Sequence, residues 1–459
     1  QAAVPQTAEG WPGSRGRPEQ AAHASVVKRR GGAEVRVGCS GTAATGEASR
    51  AAPPGLAAIR AALPAAEIHA GQIPQKLPPQ VPQVVISPGV DLHLPLLKDA
   101  RQCGVPVLSD IDLFVSEADA PIVAITGSNG KSTVTSMLGE MLAATGLRVG
   151  VGGNLGTPAL DLLDPAQQFY VLELSSFQLE RSQLIEAAAA VLLNVSPDHL
   201  DLHGDMAAYA AAKARIYARC KLAVVNRDEP ALAALVPAAT PVIGFGLGMP
   251  GDGEFGVLHR TDGSWLARGA EALLPVADLQ LTGRHNISNA LAALALGTAC
   301  GLAPARLLPG LRAYRPLPHR MAIVPSRDGL IWIDDSKATN VGAAVASIGS
   351  LDGPLVLIAG GDGKGASFSM LADALRGREC VAVLLGRDRE LLAAALQDIC
   401  PVRRVDDMPA AVREARAVAK PGWTVLLAPA CSSLDMYRDY GARGDAFCAA
   451  VRALPEQGA

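Results

Sequence analysis

The stretch that most constrains this chain is AITGSNGKSTVTSML, residues 124–138. A short apolar run meets two glycines, a lysine and two hydroxyl residues, and a helical pattern then resumes. A strand, a glycine-rich turn and a helix start in this order favour phosphate, because unpaired N–H groups and the helix dipole attract anions. Lys131 would reach the β- and γ-phosphates of a nucleotide, and Ser132 or Thr133 would contact Mg²⁺. We therefore predict a phosphate loop, although Ile125 stands where the usual loop has its first glycine and a tight turn without a ligand is the alternative.

The composition is that of a folded protein with several domains. At 459 residues the chain is too long for one ordinary core, and this length suggests roughly two to four domains. The net charge of −3, without a concentrated basic face, argues against nucleic-acid binding. No apolar run approaches the ~18 residues that a membrane span needs. The eight cysteines form no CxxC pair, which favours reduced thiols in a cytoplasmic protein.

Strand-like and helix-like segments alternate along most of the chain, whereas residues 1–80 show little periodicity. This alternation predicts mostly parallel, doubly wound sheets. The segment RPLPHR, residues 315–320, separates two such series, and its prolines suit a domain boundary. The strand-like runs are VVISPG and VPVLS near the start, then PIVAIT, YVLEL, AAVLLNV and LAVVN, and finally LIWID, PLVLIAGG, CVAVLLG and WTVLLAP.

Two candidate metal ligands follow central strands. Glu173 lies near the end of YVLEL, and His199 follows the end of AAVLLNV. Because open α/β sheets bind ligands at the carboxyl ends of their strands, a carboxylate and an imidazole there could hold Mg²⁺ near a nucleotide. A loop carboxylate and a structural histidine are the alternative interpretations.

Other polar side chains have a plain structural interpretation beside a functional one. Lys213 lies on a predicted helix of strong helix formers, where a solvated surface lysine is the simpler interpretation. Asn286 and Asn289 share a helix face from which amides can bond an adenine edge, but Asn286 could equally cap the helix. Late in the chain, WIDDSKATNVGA and IAGGDGKGASF place Asp, Lys and Gly after two strands, which suits either common turns or loops for anions and metals.

In this order the segments resemble the Mur ligase family, from about Ser87 to the C-terminus. The resemblance implies three α/β domains. Residues 1–119 would be a Rossmann-like domain for a UDP-sugar, 120–316 a P-loop ATPase-like domain for ATP, and 317–459 a Rossmann-like domain for the incoming amino acid. The strings that carry the resemblance are ITGSNGKSTVT, VGVGGNLG, YVLELSSFQLE, AAKARIY, LTGRHNISNALAALAL, PLPHR, DDSKATNVGA, GGDGK and PACSSLD.

The resemblance also implies ATP-driven amide formation. The L-alanine carboxylate of UDP-N-acetylmuramoyl-L-alanine would attack the γ-phosphate of ATP, and the amine of D-glutamate would then attack the acyl phosphate. Two Mg²⁺ ions and a carbamylated Lys213 belong to this implied chemistry, and we expect a monomer. Folylpolyglutamate synthetases share the chemistry, but PACSSLD favours the Mur ligases. Sister ligases for other amino acids, and a nucleotide-binding protein without ligase activity, are the remaining alternatives.

The site residues that the resemblance implies fall into four sets. The catalytic residues are Lys131, Glu173, His199 and Lys213, and the metal ligands are Ser132, Glu173, His199 and Lys213. The nucleotide contacts are Gly127, Ser128, Asn129, Gly130, Lys131, Ser132, Thr133, Asn286, Asn289, His319, Arg320 and Asp335. The UDP-sugar contacts are Arg50, Ser87, Pro88, Gly89 and Asn154. The D-glutamate contacts are Lys337, Thr339, Lys364, Ser433 and Tyr440, the last standing where the family pattern has Phe.

The N-terminal segment departs from the family pattern. The family opens with a strand, a glycine-rich turn that holds uracil, a helix and a second strand that ends in an acidic residue. Here residues 1–30 contain no apolar strand, and GCSGTAATGEA follows GAEVRV where the acidic residue belongs. A truncated or frame-shifted start and genuine divergence both produce this pattern. We expect poor order over the first ~50 residues, because a sheet without its first strand exposes backbone and apolar surface. Uridine recognition would be weakened, with Arg50 as a surviving contact, and ATP binding retained.

Overall fold

The computed structural model describes residues 75–77, 81–281, 283–326 and 329–454. Arg50 and the expected poor order of the N-terminal segment lie outside the described residues. The strands in these ranges are Val84–Ile86 (β1), Val107–Ser109 (β2), Ile122–Thr126 (β3), Val149–Gly153 (β4), Phe169–Glu173 (β5), Ala189–Leu192 (β6), Ala223–Asn226 (β7), Val242–Phe245 (β8), Phe255–Arg260 (β9), Gly263–Arg268 (β10), Glu271–Pro275 (β11), Ala322–Val324 (β12), Ile331–Asp334 (β13), Leu355–Gly360 (β14), Cys380–Leu385 (β15), Val402–Arg404 (β16) and Thr424–Leu427 (β17).

The α-helices connect these strands, and most of them follow a strand directly, as the alternation predicts. They are Pro95–Gln102 (α1), Asp110–Glu117 (α2), Lys131–Ala143 (α3), Ser176–Arg181 (α4), Leu200–His203 (α5), Met206–Ala214 (α6), Pro230–Ala233 (α7), Arg284–Ala299 (α8), Pro304–Ala313 (α9), Val341–Ile348 (α10), Ser369–Leu375 (α11), Arg389–Leu396 (α12), Met408–Val418 (α13) and Tyr440–Arg452 (α14).

The first described unit is small. β1 and β2 pair in parallel, with Val84 opposite Val107. Helix α2 begins with a capping box, in which the Ser109 hydroxyl accepts the N–H of Asp112 and the Asp112 carboxylate accepts the N–H of Ser109. The other carboxylate oxygen of Asp112 accepts the N–H groups of Gln183 and Leu184. This buried carboxylate therefore connects the small sheet to the chain that follows α4.

The central sheet has nine strands in the order β11-β10-β9-β8-β7-β6-β3-β5-β4. Its strands from β4 to β9 pair in parallel, and β10 and β11 add an antiparallel edge. Val123 and Ile125 of β3 enter one apolar cluster, and Ile122 and Ala124 enter another on the opposite face. Because β3 lies between β5 and β6, the strand order reverses there, and such a point is where open sheets bind ligands.

The C-terminal sheet has six strands in the order β12-β13-β17-β14-β15-β16. All neighbours pair in parallel except β12 and β13. Apolar clusters again cover both faces, one containing Leu357 and the other Val356. The predicted mostly parallel, doubly wound sheets are thus confirmed for both series. No helix in the described part of the chain is long and apolar enough to cross a membrane.

Candidate active site

The predicted phosphate loop connects β3 to α3. Gly130 has a left-handed backbone with φ of +82°, and a Cβ there would lie 2.5 Å from the amide oxygen of Asn289 on α8. Only glycine fits such a position without strain. The Lys131 ammonium donates hydrogen bonds of 2.9 Å to the carbonyl oxygens of Gly127 and Ser128. The lysine therefore folds back over its own loop, at the start of a helix of 13 residues.

The Gly127 carbonyl accepts a hydrogen bond from a second lysine. Lys213, on α6, is only 2% exposed, and its Nζ donates to the Gly127 carbonyl oxygen at 2.9 Å. The same nitrogen lies 4.6 Å from the centre of the Tyr209 ring. Burial, reinforced by the charge of Lys131, holds the pKa of Lys213 well below its ordinary value. The interpretation of Lys213 as a solvated surface lysine is wrong.

Glu173 is the last residue of β5 and is 2% exposed. One carboxylate oxygen accepts a 2.7 Å hydrogen bond from the side-chain amide of Asn154. The other, Oε2, is buried and has no hydrogen-bond partner among the described residues. A buried carboxylate oxygen without a partner is costly, and a hard divalent cation is the kind of ligand that would satisfy it. The loop-carboxylate interpretation of Glu173 is therefore wrong.

His199 precedes α5 in a left-handed conformation, with φ of 54°. Burial lowers the pKa of its imidazole to about 4, although the neighbouring Asp198 carboxylate opposes this shift. The charges of Lys131 and Lys213 also lower this pKa, which indicates that both side chains lie near His199. The imidazole is consequently neutral at physiological pH, which is the form that binds a metal ion.

The carboxyl ends of β3, β5 and β6 thus bring together a set of polar groups that we call the central wall. It consists of the loop Gly127–Lys131 with Glu173, Asp198, His199 and Lys213. Facing it across a narrow cleft is the C-terminal wall, which consists of Lys337, Thr339, Asn340 and Lys364. The cleft is lined by Pro197, Asp198, His199, Leu200, Thr339, Asn340, Gly363, Lys364 and Ala366.

Two side chains connect the walls directly. The Lys364 ammonium lies 2.6 Å from a carboxylate oxygen of Asp198. The Asn340 amide donates to the side-chain oxygens of Asn129 and Asp198, at 3.1 and 3.2 Å. Burial alone would raise the pKa of Asp198, but Lys364 and His199 hold it below its ordinary value. Sequence reasoning missed both Asp198 and Asn340.

The two asparagines of α8 lie under the phosphate loop. Asn286 and Asn289 are each 7% exposed, and the Asn289 amide donates to the Asn286 side-chain oxygen at 3.2 Å. The helix begins at Arg284 and its N-cap is Gly283. Asn286 is therefore inside the first turn, and the helix-capping interpretation is wrong.

The first residues of the C-terminal series form a connected group. His319 Nδ1–H donates a 2.7 Å hydrogen bond to the Asp334 carboxylate, and this bond raises the pKa of the imidazole. Burial raises the pKa of Asp335 to about 6, while hydrogen bonding from Ser347 and the charge of Arg320 oppose it. Arg320 also acts electrostatically on Lys131, so this group and the phosphate loop are neighbours.

One side-chain trio near this group has the composition of a metal site. Ligand atoms of His319, Asp334 and Cys448 lie within 4.8 Å of one another. The Cys448 thiol donates to Asp334 at 3.3 Å, and burial raises the pKa of that thiol to about 12. A protonated thiol is a poor metal ligand, so hydrogen bonding explains this trio better than a metal does.

The five residues expected to bind D-glutamate are divided between two neighbouring places. Lys337 and Tyr440 are in contact, with the ammonium 3.9 Å from the ring centre. Thr339 and Lys364 line the cleft. Ser433 is 3% exposed and follows Ser432, which pairs with Asp362 beside Lys364.

Of the expected UDP-sugar contacts within the described residues, Asn154 lies against Glu173 and the Ser87–Gly89 turn lies near Arg181. Asn154 holds Glu173 through the hydrogen bond described above. The turn at Ser87–Gly89 ends with the Val90 carbonyl, which accepts hydrogen bonds of 3.1 and 2.6 Å from Arg181 at the end of α4. The segment from Glu173 to Arg181 therefore connects both contacts to the central wall.

Comparisons with known proteins agree along almost the whole chain. Family models match residues 45–109 (Mur ligase MurD-like, N-terminal domain), 125–297 (Mur ligase middle domain) and 319–431 (Mur ligase, glutamate ligase domain). The first match begins upstream of Ser87, where the sequence resemblance started.

Curated relatives and solved structures give the same picture. The UDP-N-acetylmuramoylalanine--D-glutamate ligase of Methylococcus capsulatus is 47% identical over 406 residues, which cover 88% of this chain and 88% of that protein. The Pseudomonas aeruginosa protein of the same name is 48% identical over 411 residues, covering 88% and 92%. A bifunctional folylpolyglutamate synthase/dihydrofolate synthase from Yersinia pestis, complexed with AMPPNP and Mn ion, superposes with a TM-score of 0.55 at 19% identity, covering 74% of this chain and 90% of that chain. The chain belongs to the Mur ligase family.

Proposed function

We propose that this chain is an ATP-dependent ligase that joins D-glutamate to UDP-N-acetylmuramoyl-L-alanine in peptidoglycan precursor synthesis. The structural observation that carries the proposal is the pair of lysine nitrogens, from the half-buried Lys131 and the buried Lys213, that both donate to the Gly127 carbonyl. The substrate pair follows from relatives of that name at 47–48% identity. The likeness to the folate enzyme, at 19% identity, concerns the fold alone.

The central wall would perform the first half of the reaction. The substrate's L-alanine carboxylate attacks the γ-phosphorus of ATP, the bond to the bridging oxygen breaks, and an acyl phosphate and ADP form. The loop N–H groups at the start of α3 would hold the phosphates. The Lys131 ammonium would stabilise the negative charge of the transferring phosphoryl group, which is the main requirement of such transfers.

The central wall also suits divalent cations. Mg²⁺ would offset the repulsion between the phosphates and the substrate carboxylate. Ser132, Glu173 and His199 would hold it, which fits the unpartnered Oε2 of Glu173 and the neutral imidazole of His199. We assign the fourth ligand to a carbamate on Lys213. The lowered pKa of Lys213 favours the neutral amine, which is the form that adds to CO₂ with loss of a proton, and the carbamate would be an anion beside Lys131.

The C-terminal wall would bind D-glutamate and present its amine. That amine attacks the acyl carbon, the tetrahedral intermediate collapses, and inorganic phosphate leaves. The two carboxylates of D-glutamate need cationic and hydroxyl partners. Thr339 and Lys364 would supply them at the cleft, and Lys337, Tyr440 and Ser433 would supply them beside it. The corresponding domains would be residues 1–119, 120–316 and 317–459.

The nucleotide contacts complete the proposal. Asn289 lies against Gly130 and Arg320 acts electrostatically on Lys131, which supports the assignment of both to ATP. Asn286 is bonded to Asn289, and Asp335 is influenced by Arg320; we assign these two and His319 to the same nucleotide. A nucleotide-binding protein without ligase activity receives no support from the comparisons.

Phosphate release tests this function directly. With ATP, Mg²⁺ and UDP-N-acetylmuramoyl-L-alanine present, we expect D-glutamate to trigger steady release of inorganic phosphate and L-glutamate to trigger far less. Omission of the UDP-sugar should abolish the release. A protein that binds ATP but releases no phosphate with all substrates would be a mere nucleotide binder, and a preference for another amino acid would indicate a sister ligase.

A further inference from the structure

Two cysteines lie opposite each other at one end of the C-terminal sheet. Cys380 is the first residue of β15, and Cys400 comes two residues before β16. The strands pair in parallel with Ala382 opposite Val402, so extending this register by two residues sets Cys380 opposite Cys400. The Ala382 N–H donates to the Pro401 carbonyl at 3.0 Å, next to Cys400, whose own N–H donates to the Leu396 carbonyl at the end of α12. Neighbouring strands are about 4.8 Å apart, which is within the Cα separation that a disulfide spans.

The two side chains also share a face. Both belong to the apolar cluster that contains Leu375, Ala382 and Leu396, and they are 6% and 7% exposed. Both are free thiols in this structure. Their shared cluster places both thiols on the same face of the C-terminal sheet.

The thiols differ in their electrostatic surroundings. The interaction between the two thiols lowers the pKa of Cys380 and raises that of Cys400, while the Cys380 thiol donates to the Leu375 carbonyl at 3.9 Å. The charge of Arg378 also lowers the pKa of Cys380. The guanidinium of Arg378 donates to the carbonyls of Gly353 and Ile348, but its Nη2 is buried and has no partner among the described residues. An unpartnered cationic nitrogen beside one thiol favours the thiolate at that position.

We propose that Cys380 and Cys400 form a reversible oxidation site, in which Cys380 is the nucleophile and Cys400 the resolving thiol, with hydrogen peroxide or another small hydroperoxide as the oxidant. The Cys380 thiolate attacks one peroxide oxygen, the O–O bond breaks, and hydroxide leaves with a proton as water, which gives a sulfenic acid. The Cys400 sulfur then attacks the Cys380 sulfur, the S–O bond breaks, and a second water leaves. Two thiols are oxidised to one disulfide, and one peroxide is reduced to two waters.

The site is separate from the reaction cleft. Cys380 begins β15. The loop after β15, at residues 386–388, contacts the Lys364 loop and so lies at the opposite end of the strand. The disulfide would attach the edge strand β16 to β15 and close the intervening helix α12 into a loop. We therefore expect the oxidised protein to unfold at a higher temperature than the reduced protein.

Peptide mapping tests the proposal on the full chain. The folded protein is treated with hydrogen peroxide, alkylated under denaturing conditions and digested with trypsin without reduction. Cleavage after Arg378, Arg387, Arg389 and Arg403 separates the cysteines into peptides 379–387 and 390–403. We expect these two peptides to appear joined, lighter than their sum by two hydrogen atoms, and to separate on treatment with dithiothreitol. The peptide that carries Cys431 is the matched control, because this thiol is fully buried and burial raises its pKa to about 12.

Single substitutions assign the roles of the two thiols. In Cys400→Ala, peroxide should leave a sulfenic acid on Cys380 that dimedone captures, whereas Cys380→Ala should leave Cys400 unmodified. Recovery of both peptides as free, alkylated thiols after peroxide would overturn the proposal, whatever the variants do. It would also be overturned if Cys380 were joined to a different cysteine, or if Cys431 reacted as fast as Cys380.

Discussion

Both walls of the cleft contain lysine side chains, but among the described residues a carboxylate pairs with Lys364 of the C-terminal wall and with neither lysine of the central wall. In the central wall, the side-chain nitrogens of Lys131 and Lys213 donate to backbone carbonyl oxygens, and neither has a carboxylate partner among the described residues; Oε2 of Glu173 has no hydrogen-bond partner there either. In the C-terminal wall, Lys364 already has a carboxylate partner, Asp198, at 2.6 Å. The central wall is thus preorganised for anions and metal ions, whereas the C-terminal wall must exchange Asp198 for a substrate carboxylate.

This difference indicates a division of labour. Groups that are buried, rigid and electrostatically unsatisfied suit the stabilisation of charge that develops during phosphoryl transfer. A part-buried ion pair that opens when a competing carboxylate arrives suits the admission and release of an amino acid. We expect substitutions in the central wall to act mainly on the chemical step, and substitutions in the C-terminal wall to act mainly on D-glutamate binding.

The largest expected effect is at Lys131. Lys131→Ala should lower turnover by about a thousandfold or more, because the charge on the transferring phosphoryl group loses its cation. Circular dichroism and thermal unfolding should remain near those of the wild type, since the ammonium bonds only to its own loop. Lys221→Ala, at an exposed lysine, is the matched control and should keep full activity. Near-normal turnover in folded Lys131→Ala would contradict the phosphate-loop assignment.

The second expected effect is at Lys213. Lys213→Ala should inactivate the protein, and Lys213→Glu should keep more activity than Ala, because a carboxylate can stand in for the carbamate. Added bicarbonate should raise the activity of bicarbonate-depleted wild type and leave Lys213→Ala unchanged. Initial rates at fixed substrate concentrations measure both effects. Full activity in Lys213→Ala would remove this residue from the site.

The third expected effect is at Lys364 and is selective. Lys364→Ala should raise the KM for D-glutamate by about ten- to a hundredfold, because a charge-assisted partner of a carboxylate is lost. The KM for ATP should change by much less. Steady-state kinetics with each substrate varied in turn separate the two. Equal changes for both substrates would argue against the placement of D-glutamate at the C-terminal wall.

The smallest expected effect is on the free energy of unfolding. It concerns Asp335 and Asp198, two carboxylates whose pKa values are shifted in opposite directions. Burial raises the pKa of Asp335 to about 6 from 3.8. Between these values the folded protein holds a proton that the unfolded chain lacks. The contribution to stability is therefore fully present below pH 3.8 and is lost as the pH rises through about 6. The loss amounts to roughly 2–3 kcal/mol at neutral pH.

Isosteric amides at these positions should have opposite signs. Asp335→Asn should increase the free energy of unfolding at pH 7–8 and leave it nearly unchanged near pH 4, because the amide resembles the protonated acid. Asp198→Asn should decrease it at pH 7 by about 1–3 kcal/mol, since it leaves Lys364 without its partner. Urea unfolding at several pH values measures both, without nucleotide or metal. The same sign for both variants at pH 7 would contradict the opposite pKa shifts assigned to the two carboxylates.

The sequence predicts the central wall better than the C-terminal wall, for a physical reason. The phosphate loop, Glu173 and His199 follow strands within one local pattern, and the carboxyl ends of parallel strands converge on one edge. The ion pair of Asp198 and Lys364 joins residues 166 positions apart, and no local pattern encodes it. Asp198 precedes His199 in the loop after β6, and this adjacency was the feature of the sequence from which Asp198 could have been proposed as a site residue.

The burial of Lys213 also could not be predicted from the residues around it in the sequence. Lys213 has alanines on either side in AAYAAAKARIYARC, and such a helix has no clear polar face. Its burial depends on the packing of α6 against the phosphate loop, through Tyr209 and Ser128. The family resemblance supplied a role for Lys213 that its own segment did not.

The most direct test of the division of labour is a single-turnover trap of the acyl phosphate. Wild type, Lys131→Ala and Lys364→Ala are each mixed, in excess, with ATP, Mg²⁺ and UDP-N-acetylmuramoyl-L-alanine without D-glutamate, and the acyl phosphate is reduced with borohydride to the corresponding alcohol. We predict that Lys364→Ala yields nearly as much alcohol as the wild type, whereas Lys131→Ala yields almost none. Equal loss of the alcohol in both variants would contradict the account, because both walls would then be needed for phosphoryl transfer.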